Sequence, residues 1–289
     1  MAAAERPAGT IQNSMSQLLA VASAAFYGLA DFTGGLLAKR MAVWTVTAWS
    51  MLIGASLLIV GLFVVPADHV TLGDVLWGAL AGVAGLGGLM ILYATLAAGT
   101  MSVVAPITGA TSAVVPVAFD LARGSTLTSR QWLGIALGVG AVLLVGLQRG
   151  ARGVGSRIVG QATAAGALFG LFFIALSQAS SESGLWPLVG ARAASIPVAF
   201  LIAFAAKAIA PPRGRDLGLL AGIGGLDMSA NIAIALAIQT GPLGVNAVLS
   251  SLYPVVTAVT AIIVLRERPT AVQIAGVAFA VGAIIALAL

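Results

Sequence analysis

The chain has 289 residues, 60% of them apolar and only 8% charged, with a mean hydropathy of +1.08, against roughly 45–50% apolar and about 25% charged in soluble domains. Fourteen basic and nine acidic side chains cannot cover a water-soluble protein of this length, so the bilayer is the expected solvent. Cysteine is absent and histidine occurs once, as His69, which excludes a disulfide framework, a Cys/His metal cluster and thiol redox chemistry; no cofactor is expected. The net charge of +5 is spread over short connectors, a pattern of membrane orientation and not of nucleic-acid binding.

In chain order, residues 1–16 are polar and mixed and read as a disordered tail without the basic and apolar regions of a cleaved signal. Ten apolar segments follow, at about 17–38, 43–65, 74–98, 102–121, 130–148, 157–178, 187–209, 216–239, 244–265 and 270–289, each close to the length that crosses a hydrocarbon core of about 30 Å. Residues 149–156 form a basic linker between units 17–148 and 157–289. The expected fold is all-α and integral to the membrane. Gly is frequent inside the segments, as expected where helices must approach closely without a hydrophobic drive.

The two units repeat. At a shift of 142 residues without a gap, Gly28 meets Gly170, Trp44 meets Trp186, Asp74 meets Asp216 and Gly99 meets Gly241. At the same shift Thr128 meets Thr270, Gln131 meets Gln273, Gly134 meets Gly276 and Gly140 meets Gly282. A unit of five spans is odd in number, so the second unit enters the membrane in the opposite direction. Ten helices in two five-helix inverted repeats are the plan of transporters that open a central site alternately to each side.

The stretch from Tyr253-Pro254 through Arg266-Glu267-Arg268-Pro269-Thr270, followed by Gln273 and Gly276, resembles the signature of the drug/metabolite transporter superfamily, EamA type. A weaker copy runs from Tyr93 through Gly99, Pro106, Pro116, Thr128, Gln131 and Gly134. Two positions depart from the duplicated pattern: Ser125 stands opposite the loop Glu267, and Ser112 opposite Pro254. If the loop Glu caps the following helix, only one loop has it. The resemblance implies a solute cavity lined by the first, third and fourth helices of each half, with the fifth helices more peripheral.

Ionised groups at mid-membrane cost at least about 2.5–3.5 kcal/mol, so they mark function. Asp227 lies in the middle of the eighth segment with Asn231 one turn on; Asp31 lies in the first, four residues after Tyr27. Asp227 and Asp31 are the expected proton-coupling carboxylates. Tyr27, Tyr93, Thr108, Asn231, Ser250 and Tyr253 are the expected solute-binding residues, with Thr111, Gln178 and Ser251 nearby in type. Arg192 reads as snorkelling to the interface in preference to neutralising an aspartate. Asp120 and Arg123 read as a local ion pair, Trp44 and Trp186 as interfacial belt residues, and Pro106, Pro116 and Pro254 as sites of helix kinking or breakage.

Orientation draws two answers. Connectors after odd-numbered segments carry Lys39, Arg40, Arg149, Arg152, Arg157, Lys207, Arg213, Arg215, Arg266 and Arg268, and the other side carries Arg6, Arg123 and Arg130; positive-inside places the termini outside, whereas the family resemblance implies termini inside. The reading is a proton-coupled secondary transporter, an exporter of a small metabolite or drug-like compound, as monomer or homodimer in a bacterial cell membrane. The alternatives are an uncoupled facilitator or channel, and an intramembrane aspartyl protease. The protease reading lacks its motifs, since the carboxylates sit in Gly224-Gly225-Leu226-Asp227 and Leu29-Ala30-Asp31. No phosphate-binding glycine loop is present to couple ATP.

Overall fold

The computed structural model describes residues 8–98, 101–146, 155–266 and 268–288. Eleven α-helices account for nearly all of them: α1 Ala8–Ala38, α2 Val43–Val64, α3 Leu72–Ala98, α4 Met101–Ala122, α5 Ser129–Gly146, α6 Ser156–Ser177, α7 Trp186–Ala205, α8 Arg215–Thr240, α9 Leu243–Ser250, α10 Tyr253–Leu265 and α11 Ala271–Ala288. A 3₁₀ turn at Ser181–Ser183 precedes α7, and no strand occurs among the described residues. Seven stretches are long and apolar enough to cross a membrane, and Pro106–Ala122, Ser129–Val145 and Ala271–Leu287 are shorter apolar helices. Phe63, Val64, Leu201, Phe204 and Ile263 stand outward and exposed. That surface is a liability in water and ordinary in lipid.

Two expectations change. Residues 8–16, read as part of a disordered tail, are helical: Ser16 Oγ donates to Asn13 O at 2.8 Å, and the next residue, Gln17, ties the helix to α11 through Nε2 on Leu287 O at 2.7 Å. The single segment expected at 244–265 is two helices, because Pro254 has no N–H to give to the carbonyl of Ser250. The chain breaks at Ser251-Leu252 and restarts with Pro254 in the first turn of α10. In α4 the repeat-related position is Ser112, whose hydroxyl bonds back to Gly109 O, and α4 runs through as one helix with Pro106 and Pro116 inside it.

The packing follows the repeat. Helix α1 lies on α8, and with the halves exchanged α6 lies on α3; α2 packs on α8 and α7 on α3; α4 packs on α6 and α1 on the α9–α10 pair. The pairs α5–α11 and α4–α9 exchange into themselves. Glycines make these approaches possible. A Cβ on Gly134 would strike Leu287 and one on Gly276 would strike Val145; Gly140 faces Phe279 and Gly282 faces Leu137. Each contact turns into its partner when 142 is added or subtracted. Gly82 sits on the backbone of Ala191 in α7, and its equivalent Gly224 sits on the backbone of Ser50 in α2. At the crossing of α4 and α9–α10, Gly109 meets Pro254 while Ser112 Oγ lies 3.1 Å from Ser251 Oγ.

The duplicated Thr and Gln of the sequence are helix caps. Thr128 N donates to Gln131 Oε1 and Gln131 N to Thr128 Oγ1, and Thr270 and Gln273 do the same at the start of α11. These reciprocal bonds satisfy N-terminal donors that the helix leaves free. The loop Glu267, expected as a cap of the following helix, lies outside the described residues.

Replacing Gly224 with Leu drives a side chain into the Ser50 carbonyl, whereas Gly222 on the same helix has open space around it. Gly224→Leu is expected to cost about 1–3 kcal/mol, read as a lower unfolding temperature in detergent, with Gly222→Leu close to the unaltered protein.

Candidate functional site

Four helices from both halves converge their polar side chains. Helix α1 brings Tyr27 and Asp31 one turn apart, α7 brings Arg192, α8 brings Asp227 and Asn231, and α10 opens with Tyr253. Arg192 Nη2 donates to Asp227 Oδ2 at 2.6 Å, with the two side chains 12% and 33% exposed. The expected snorkelling of Arg192 is thus overturned. A charge-assisted bond to a carboxylate on the neighbouring helix holds the guanidinium inside the bundle. Thr257 Oγ1 donates to Gly28 O, and the Tyr27 and Tyr253 rings meet edge to face, 6.3 Å between centroids at 66°.

Tyr27 lies within electrostatic reach of Asp227, Arg192, Asp31 and Tyr253, and Asp31 within reach of Asp227. Asp31 is surrounded by protein yet its side chain stays open. Asp31 has no hydrogen-bond or ion-pair partner among the described residues. The centre therefore holds two carboxylates, one guanidinium and two phenols, of which one carboxylate is neutralised.

The other expected residues divide. Asn231 is 6% exposed and gives its Nδ2 to the Asp227 carbonyl at 2.7 Å, so it braces the turn that carries the carboxylate. Thr108 and Ser250 are fully buried, Thr108 Oγ1 on Ala162 O and Ser250 Oγ at 3.0 Å from Ser23 Oγ. They tie α4 to α6 and α9 to α1 in place of lining a passage; short hydroxyls do this where lipid offers no partner. The Tyr93 side chain lies outside those described. Thr111 bonds back to Ile107 O, and Ser251 meets Ser112.

One end of the bundle, where α1 begins, is laced by polar bonds that the sequence reading missed. Asp74 is 3% exposed and accepts from Thr71 N, Thr71 Oγ1 and, across to the other half, Ser180 N at 2.7 Å. Asp68 N and His69 N donate to Glu182 O, Gln239 Nε2 to Gly184 O, and Arg123 Nη1 to Gln178 Oε1. Asp120 accepts from Gly244 N at 2.7 Å. It caps α9 and does not form the expected pair with Arg123, whose guanidinium stacks over Phe119. At the opposite end Thr45 Oγ1 donates to Ala208 O. Asp216, the repeat equivalent of Asp74, is only half-buried there, with its N–H on Arg213 O. The pattern Thr71-x-x-Asp74 was legible as a cap; its reach to Ser180 was not.

Two copies of one family model, described as the EamA-like transporter family, match residues 14–147 and 157–289. The chain belongs to the EamA-like transporter family. It is a multi-pass membrane protein of a transporter family, built from two repeats. A solved structure described only as "Crystal structure of protein" is similar over 95% of each chain at 15% identity, with a TM-score of 0.75; at that identity the likeness concerns the fold. No curated protein matches.

Removing Arg192 leaves Asp227 without its counter-charge. In a double-mutant cycle of Arg192→Ala and Asp227→Ala, stability in detergent is expected to show a coupling of about 0.5–3 kcal/mol, with the double variant more stable than the sum of the single losses implies.

Proposed function

We propose that this EamA-like protein is a secondary active exporter of a small metabolite or drug-like solute, working by alternating access with ten spans in two inverted five-helix repeats, 17–148 and 157–289, joined by the basic linker 149–156. The observation that carries the reading is the polar centre formed by Asp31, Tyr27, Tyr253 and the Arg192–Asp227 pair, drawn from helices of both halves. A rocking motion between halves takes such a site from one side to the other.

Coupling falls to the aspartates. Asp227 has a fixed counter-charge in Arg192; Asp31 is neutralised only by a proton or an arriving cation, and so carries the exchangeable proton. The lacing at the end where α1 begins corresponds to a state closed there and open at the other end. In the opposite state Asp216 takes at its own end the place that Asp74 holds on Ser180.

The absence of cysteine gives a clean background for the test. With Asp31→Cys as the sole thiol in oriented proteoliposomes, a membrane-impermeant maleimide is expected to label from the side opposite the start of α1. Adding Asp74→Asn is expected to raise labelling from the α1 side several-fold while lowering it from the other. Equal labelling from both sides at once in the Cys variant identifies a pore and overturns alternating access.

A further inference from the structure

We propose that the solute is a small organic monocation with a ring-sized apolar body, its charge held by Asp31 and its body by Tyr27 and Tyr253. The inference rests on the transporter reading and deepens it.

The charge inventory of the polar centre is the first step. Arg192 and Asp227 cancel one another through a 2.6 Å bond, and the remaining charge is that of Asp31, which has no partner among the described residues. An unpaired carboxylate inside a membrane bundle is costly and is found where something arrives to compensate it. An anion would meet Asp31 and find the guanidinium already engaged. A zwitterion would have to share the guanidinium with Asp227, whose charge already neutralises it, to place its carboxylate. A monocation completes the charge balance and displaces nothing but a proton. Of the titratable and charged groups around it, Asp227 on α8 and Tyr27 on its own helix lie within electrostatic reach of Asp31, and Arg192 on α7 and Tyr253 on α10 lie within reach of Tyr27.

The rings are the second step. Tyr27 stands one turn before Asp31, and its ring meets that of Tyr253 at 66°. Aromatic faces attract ammonium groups, more strongly when desolvated, and pack flat apolar bodies equally well.

The repeat supplies an independent argument that this is the one such site. The positions equivalent to Tyr27 and Asp31 are Phe169 and Phe173; those equivalent to Asp227 and Arg192 are Gly85 and Ser50. There the space is filled: Phe172 packs where a side chain on Gly85 would stand, and Phe169 does so at Gly88. The pseudo-symmetric half is thus an apolar plug. Among the described residues of the two equivalent positions, the polar set stands on the Asp31 side.

The test uses three probes of one shape and different charge, benzylammonium, benzyl alcohol and benzoate, titrated calorimetrically into the purified full-length protein. Benzylammonium is expected to bind at least tenfold more tightly than the other two. Asp31→Asn is expected to remove that preference and Asp31→Glu to retain part of it. Preference for benzoate, equal affinity for all three, binding of none, or an unchanged preference in a folded Asp31→Asn protein overturns the proposal. If Asp31→Asn does not fold, the charge series on the unaltered protein decides alone. Counterflow of labelled benzylammonium in proteoliposomes separates the two readings: selective binding without counterflow leaves the cation site standing and removes the transporter reading, and counterflow of a neutral or anionic solute does the reverse.

Discussion

In a bilayer, burying apolar surface gives helices no reason to prefer one another over lipid, so association depends on how closely backbones can approach. This constraint governs the rest of the molecule. Gly82 on Ala191 and Gly224 on Ser50 fix α3 to α7 and α8 to α2; Gly134, Gly140, Gly276 and Gly282 fix α5 to α11. With Gly28 of α1 seated on Tyr253 O and Val256 of α10, close approaches of this kind let side chains from α1, α7, α8 and α10 meet at one place. The polar site is thus a product of residues that carry no chemistry themselves.

Polar bonds then do two different jobs. Serine and threonine hydroxyls at buried crossings, such as Ser23 with Ser250 and Thr108 with Ala162, strengthen the scaffold and are used up in doing so. Asp31 and the Arg192–Asp227 pair are left only partly covered instead. The repeat generates both classes of position, but it duplicates the scaffold and not the site: the glycines recur at a spacing of 142, while Asp31 becomes Phe173.

Much of the fold could be read in the sequence, because composition and span length leave few alternatives in a membrane and a fixed-shift repeat survives in glycines, Thr and Gln. The residues that misled did so for one reason. Sequence gives a side chain's depth in its own span but not its azimuth relative to other helices. Thr108, Ser250 and Asn231 lie inside their spans yet are buried in bonds to the backbone or to a neighbouring helix, and Arg192 at a depth suited to snorkelling finds Asp227 instead. The break of the ninth segment was half legible, since Pro254 announced lost helix bonding but not a clean division into α9 and α10. Asp120 and Arg123, one turn apart, suggested each other; tertiary partners at Gly244 and Gln178 won.

The crossing of α4 with α9–α10 has a geometric consequence of its own. Gly109 against Pro254 and Ser251 against Ser112 are images of each other under the shift of 142, so the set of contacts maps onto itself when the halves trade places. The crossing is thus the place where the pseudo-twofold relation of the halves passes through the protein itself. The break beside Pro254 lies there and in only one of the two related helices, so the symmetry of the contacts is kept while that of the backbone is not.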